Sequence, residues 1–120
     1  MSASGPGAVG RRAAPRVTAR LEAAYEDAER QIFLPTRDLS LSGVFLVSAE
    51  RPAVGTPATL LLELPEEPAF LRLRGAVVRS QAGAGDVAGG FALRFEDASL
   101  SDPARDTLMA FLSRRLLPGE

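Results

Sequence analysis

The stretch VTARLEAAY, residues 17–25, decides the fold class, because its apolar side chains recur at every second position. Alternation with a period of two is typical of a β-strand that has one face in a core and the other in solvent. The acidic residues that follow, Glu26, Asp27 and Glu29, indicate a polar turn. The apolar face of this first predicted strand comprises Val17, Ala19, Leu21, Ala23 and Tyr25.

Five further strands are predicted downstream, each bounded by turn residues. They cover about residues 31–38, 43–47, 58–64, 70–80 and 91–95. The stretch 58–64 alternates less cleanly, so we expect it to be buried on both faces. The Gly-rich stretch 81–90 is expected to connect two strands of a hairpin. Six short strands at regular spacing favour a small antiparallel barrel or sandwich.

A single helix is predicted at the C-terminus, where the apolar period changes from two to that of a helix. Asp102 and Pro103 are a typical cap and first helical residue. Arg114 and Arg115 fall in the last turn, where they suit the helix dipole. The apolar stripe, expected to pack on the barrel, comprises Ala104, Leu108, Phe111, Leu112 and Leu116.

Composition excludes most enzyme classes. The 120 residues, 46% of them apolar, are about one domain's worth and include no cysteine and no histidine. Thiol nucleophiles, His-based triads and zinc sites are therefore excluded, and a serine nucleophile would have no lysine as its base. The sequence predicts no enzyme, no catalytic or metal-binding residues and no cofactor. Because it has neither a signal peptide nor a transmembrane segment, we expect a cytoplasmic protein with no membrane insertion.

Charge is distributed unevenly along the chain. Residues 1–20 carry four arginines and no acid, whereas residues 21–120 carry ten arginines and fifteen acids, a net charge of −5. A basic arm on an acidic body indicates an anionic partner near the N-terminus. The acidic body argues against broad nucleic-acid binding. Residues 1–10 are rich in Gly, Ser, Pro and Ala and are predicted to be a disordered tail ahead of one domain, residues 11–117.

Two short motifs carry the functional information. The first is R-x-x-x-R at Arg12 and Arg16, just before the first predicted strand. The second is D-x-S-x-x-G at Asp38, Ser40 and Gly43, in the predicted turn between the second and third strands. Their order and spacing resemble the PilZ domain, a bacterial receptor family for the second messenger cyclic di-GMP. The resemblance covers roughly residues 11–115.

The resemblance implies a fold, a ligand and a set of contacts. The implied fold is a six-stranded antiparallel β-barrel with a C-terminal helix, which agrees with the strand count from periodicity. In such a receptor the arginines bind phosphate and guanine, and the D-x-S-x-x-G residues hold the other guanine edge. Gly43 is expected to allow a backbone conformation or close approach that a side chain would prevent. The implied ligand-binding residues are Arg11, Arg12, Arg16, Asp38, Ser40 and Gly43.

Two alternatives stay open at this point. Arg16 and Arg20 form a second R-x-x-x-R, although Arg20 is expected to face outward within the first strand. The function is either that of a cyclic di-GMP receptor that relays the signal to a separate downstream protein, or that of a ligand-independent adaptor. In an adaptor the motif residues would be structural.

Overall fold

The computed structural model describes residues 16–65, 69–96 and 102–116. Within these residues the chain forms seven strands and one helix. The strands are β1 (Val17–Thr18), β2 (Glu22–Glu26), β3 (Gln31–Leu39), β4 (Gly43–Val47), β5 (Pro57–Leu64), β6 (Ala69–Gln81) and β7 (Gly90–Phe95), and the helix is α1 (Asp102–Leu116).

Strands β2 to β7 form a closed six-stranded antiparallel barrel, as predicted. Hydrogen-bonded neighbours follow the order β3-β2-β5-β6-β7-β4, and β4 pairs back onto β3 to close the ring. Short strand β1 adds to the far end of β3, where Val17 pairs with Leu39 and Thr18 with Asp38. Closure leaves no open sheet edge among the six barrel strands.

The first predicted strand is divided between β1 and β2, and Thr36 bridges the break. Its buried hydroxyl accepts a hydrogen bond from the Leu21 amide (2.9 Å) and donates one to the Ala19 carbonyl (2.5 Å). The neighbouring Pro35 has no amide proton to give to the ladder. The side chain of Thr36 therefore satisfies backbone groups that a regular strand pair would satisfy itself.

The barrel interior is a continuous apolar core built from alternate positions of each strand. All five residues of the apolar face predicted in the 17–25 stretch are buried. In β5 the expectation of burial on both faces was wrong. Leu60, Leu62 and Leu64 are buried, but Leu61 is 38% exposed and Glu63 is exposed. An antiparallel barrel strand has one face outside, and a leucine on that face is not evidence of a second core.

Helix α1 contributes Leu108, Phe111 and Leu112 to the same core, and Ala104 packs against it. Arg114 and Arg115 lie in its last turn, as predicted. In the described part of the chain, no helix has the length and apolar character to cross a membrane.

The turn between β2 and β3 is fixed by a polar network around Asp27. Its carboxylate accepts hydrogen bonds from the Tyr25 hydroxyl (2.5 Å) and from the amides of Glu29 (2.7 Å) and Arg30 (2.9 Å). Burial alone would raise the pKa of Asp27, but these donors outweigh it and hold the pKa below its usual value. Burial raises the pKa of the Tyr25 hydroxyl, and its hydrogen bond to Asp27 raises it further, so that the pKa lies well above its usual value.

Candidate ligand-binding site

A row of four paired residues crosses the outer wall of the barrel over β3, β4, β7 and β6. Asp38 pairs with Phe45, Phe45 with Ala92, and Ala92 with Arg79. Two register shifts flank the row, one at Arg37 in β3 and one at position 78 in β6. An extra residue in one strand re-aims the side chains that follow it. The shifts therefore bring the side chains of Arg37, Arg79 and Asp38 to the same outer surface.

Asp38 is the acidic centre of this surface, and two arginines approach its two oxygens. Arg16 donates to Oδ1 in a short ion pair, and Nε of Arg37 lies 3.8 Å from Oδ2. The Asp38 side chain is 20% exposed, and that of Arg16 is 50% exposed. No described residue donates a hydrogen bond to Oδ2. The structure thus brings together Arg16 of the first motif and Asp38 of the second.

Phe45 lies beside Asp38 under a pair of guanidinium groups. Its ring is fully buried but lies outside the continuous core, because β4 directs Val44 and Leu46 inward instead. Cζ of Arg37 is 3.7 Å from the ring centroid, and Cζ of Arg79 is 5.8 Å from it. Both distances are within the range of cation–π attraction.

The turn between β3 and β4 is built by Ser40. Its buried Oγ accepts hydrogen bonds from the amides of Ser42 (3.1 Å) and Gly43 (3.2 Å). At Gly43 a Cβ atom would overlap the carbonyl oxygen of Leu93, so the predicted close approach is confirmed. Asp38 itself was expected at an exposed turn, which was wrong. It lies inside β3 and is partly buried, because the turn spans only residues 40–42.

The other arginines of the basic arm are placed differently. Arg11 and Arg12, like the predicted tail at residues 1–10, lie outside the described residues. Arg20 lies between β1 and β2 and is exposed, as its predicted outward orientation required. The ion pair with Asp38 belongs to Arg16, which both candidate R-x-x-x-R pairs share.

Sequence reasoning missed Arg37 and Phe45. Arg37 directly precedes Asp38, and alternation would place it on the opposite face of β3; only the register shift brings both residues outward. Phe45 is an ordinary apolar strand residue in the sequence. Its outward position could have been found from the alternation of Val44 and Leu46 alone.

A depression of about 480 Å³ lies elsewhere on the outer wall, between β2, β5 and β6. Its lining includes Glu26, Asp27 and Glu96 alongside Arg72 and Arg74. Three acids beside two arginines do not suit an anionic ligand, and none of the described motif residues lines this depression.

The chain belongs to the PilZ domain family. The family's sequence model matches residues 10–114, which includes both motifs and the whole barrel. PilZ domains are ligand-binding domains rather than enzymes. No curated protein sequence matches the chain.

Solved structures of PilZ proteins share the fold at low sequence identity. The Bacillus subtilis inhibitor of motility (MotI/DgrA) superposes with a TM-score of 0.78 and 21% identity, over 92% of this chain and 53% of that protein. This chain thus spans about half of its length. The PilZ domain of YcgR from Escherichia coli, solved with c-di-GMP (cyclic di-GMP), has a TM-score of 0.68 and 14% identity, over 88% and 91%. PlzA of Borreliella burgdorferi, also solved with c-di-GMP, has a TM-score of 0.53 and 12% identity, over 93% and 57%.

Proposed function

We propose that this chain is a receptor for c-di-GMP and that the ligand lies on the outer wall beside Asp38. The observation that carries the proposal is the ion pair between Arg16 and Asp38, which unites the two motifs at one place. Family membership and the c-di-GMP complexes of YcgR and PlzA support it. The proposed contacts are Arg11, Arg12, Arg16, Asp38, Ser40 and Gly43.

The chemistry of guanine suits the two charged groups at this place. Guanine presents N1–H and N2–H₂ donors on one edge, which a carboxylate such as Asp38 can accept together. Its O6 and N7 acceptors match the planar fork of an arginine such as Arg16. One base can thus engage the carboxylate, and a guanidinium can take the opposite edge of the same or a second base.

Asp38 is prepared for such a donor before ligand binds. Arg16 occupies Oδ1, and Oδ2 receives no hydrogen bond from a described residue. Because Arg16 is half exposed, it can turn from the carboxylate toward an incoming phosphate or base with little loss of packing. On ligand binding, Arg16 would exchange its ion pair with Asp38 for a contact with the phosphate or base of the ligand.

Ser40 and Gly43 support the site through the backbone. The hydrogen bonds from residues 42 and 43 to Ser40 Oγ close the turn directly after β3. Gly43 lets β4 approach β7 closely enough to keep Phe45 and Asp38 in register. Both residues thereby shape the turn that directly follows β3, and their proposed ligand contacts lie at this turn.

Arg11 and Arg12 complete the anion site in the proposal. Each c-di-GMP carries two phosphates, which take short charge-assisted hydrogen bonds from guanidinium groups. Sequence places these two arginines four and five positions before Arg16, within reach of the same ligand. Ordering of residues 11–15 over the outer wall would create a new surface, through which the receptor signals to a separate protein in the cytoplasm.

A ligand-independent adaptor is the second candidate, and one observation favours it. Arg16 and Asp38 already form an ion pair with each other, and Ser40 and Gly43 have structural roles in the turn. In this alternative the motif residues hold β1, β3 and β4 together, and the protein partner binds with no nucleotide.

Calorimetric titration of the full chain with c-di-GMP separates the two candidates. Saturable binding supports the receptor. Equilibrium dialysis with labelled c-di-GMP covers the case in which binding releases no heat. If both methods detect no binding to the folded protein, the adaptor is favoured and the receptor is contradicted.

A further inference from the structure

We propose that Arg37, held against Phe45, is a stacking platform for the guanine base that Asp38 binds. This inference rests on the proposed function, because it names a further contact of the same ligand. Neither R-x-x-x-R nor D-x-S-x-x-G includes Arg37 or Phe45.

Arg37 lies beside Asp38 on the outer wall. The register shift in β3 makes it the extra residue between Thr36 and Asp38, so that it shares the outer surface with Asp38. Its Nε lies 3.8 Å from Asp38 Oδ2, too far for a hydrogen bond but close enough for attraction. A base edge that donates to Asp38 therefore lies beside the guanidinium group of Arg37.

Phe45 holds this guanidinium group in place before ligand arrives. At 3.7 Å from the ring centroid, Cζ of Arg37 sits directly over the aromatic face. A long side chain normally loses rotamer freedom when it contacts a ligand, and a group that is already held loses less. The Phe45 ring is itself fully buried and lies outside the continuous core, so it is a fixed surface for the guanidinium group above it.

The guanidinium group of Arg37 is accessible to a base and suited to stack on it. The Arg37 side chain is 36% exposed, so a ligand can reach the part that Phe45 does not cover. A guanidinium group is planar, delocalised and weakly hydrated, and it stacks on aromatic faces as a compact ammonium cannot. The order of layers in the bound state is then Phe45, Arg37 and guanine.

Arg37→Lys is the decisive variant, because it keeps the positive charge but replaces the planar guanidinium group with a compact ammonium group. We expect affinity for c-di-GMP to fall about 5- to 150-fold, the range of one base-stacking contact. The dependence of affinity on salt should stay as in the wild type, because the number of cations is unchanged. Arg72→Lys is the matched control: Arg72 is exposed and lines the separate depression, away from Asp38 and Phe45, so this variant's affinity for c-di-GMP should change less than about threefold.

A measurement on the wild-type protein guards against a variant that misfolds. Stacking places the Arg37 Nε–H group in the ring current of the base, so its NMR signal should shift on addition of c-di-GMP and stay in place on addition of pyrophosphate. Wild-type affinity in Arg37→Lys, or an Nε–H signal that c-di-GMP leaves unmoved, would overturn this inference alone. Absence of c-di-GMP binding to the wild type would overturn it together with the proposed function.

Discussion

Arg16 and Asp38 lie 22 positions apart in the sequence and form an ion pair on the outer wall of the barrel. The pairing of β1 with β3 brings them together, because Thr18 lies opposite Asp38. The pair links the end of the basic arm to the end of a barrel strand. A ligand that engages either residue therefore acts on both.

Asp38→Asn tests the acidic centre of the site. The variant keeps the shape of the side chain but replaces one acceptor oxygen with a donor, which faces the guanine donors. Loss of a charged hydrogen bond corresponds to a fall in c-di-GMP affinity of about 10- to 150-fold. Titration calorimetry measures the change, and thermal unfolding should show a loss of no more than about 1 kcal/mol, because the Arg16 partner is half exposed.

Asp86→Asn is the charge-matched control for Asp38. Asp86 is exposed in the hairpin between β6 and β7, away from the row of Asp38 and Phe45. The Asp86→Asn variant should bind c-di-GMP with the affinity of the wild type. Equal affinities of Asp38→Asn and Asp86→Asn would remove Asp38 from the site.

Arg12→Gln and Arg20→Gln decide which R-x-x-x-R pair binds the ligand, because Arg16 belongs to both pairs. Each variant removes one positive charge from the same segment. We expect Arg12→Gln to weaken c-di-GMP binding at least about tenfold and Arg20→Gln less than about threefold, since exposed charges at a distance are screened. A larger loss in Arg20→Gln than in Arg12→Gln would assign ligand binding to Arg16 and Arg20 instead of Arg12 and Arg16.

Trypsin cleavage after Arg12 reports on the basic arm. Residues 1–15 carry little apolar surface to offset an ordering cost of about 1–2 kcal/mol per residue, so their sequence predicts rapid cleavage without ligand. Saturating c-di-GMP should slow it strongly. Arg30 is the internal control, because its ion pairs with Asp27 and Glu50 lie at the other end of β3, about 26 Å away. Cleavage after Arg12 that ligand does not slow would contradict ordering of the arm.

Tyr25 gives a pH test of the core. Burial and the bond to Asp27 raise its pKa in the folded state, while an unfolded tyrosine ionises near pH ~10. The stability that this proton contributes is present below that pH and is lost as the pH rises above it, because only the unfolded state releases the proton. As the chain has one tyrosine and no tryptophan, tyrosinate absorbance should appear together with loss of the circular dichroism signal. Tyrosinate absorbance that appears at a lower pH than the loss of the circular dichroism signal would contradict the buried position of Tyr25.

Tyr25→Phe is the matched variant for that titration. It keeps the ring that meets Phe91 edge to face but removes the donor to the buried Asp27 carboxylate. We expect a loss of stability of about 1–3 kcal/mol at neutral pH and a flatter decline above pH ~10. Urea unfolding at several pH values measures both effects.

Most of the barrel could be predicted from the sequence, because alternation reports directly on which face of a strand enters a core. The apolar face of residues 17–25 is an example, since all of it is buried. The break at Ala19 to Leu21 could not be predicted. It depends on Thr36, fifteen to seventeen positions away, whose hydroxyl replaces ladder hydrogen bonds.

The site could be predicted only in part, for a similar reason. Motif spacing led to Arg16 and Asp38, and the structure places them in contact. Neither motif includes Arg37 or Phe45. Alternation alone would have placed Phe45 on the outer wall but not Arg37, because a register shift of one residue puts Arg37 there beside Asp38. Such shifts follow from pairing between distant strands and leave no local pattern in the sequence.

The most direct test of the central claim is a titration of the wild-type chain with c-di-GMP and, in parallel, with cyclic di-AMP. Adenine carries an N6–H₂ donor where guanine has O6, and it lacks N1–H and N2–H₂, so Asp38 would lose its pair of base donors and one arginine would lose an acceptor. Loss of one charged hydrogen bond already corresponds to about 10- to 150-fold in affinity. We predict saturable binding of c-di-GMP and at least tenfold weaker binding of cyclic di-AMP. Equal affinity for both, or binding of neither, would contradict a guanine-specific receptor.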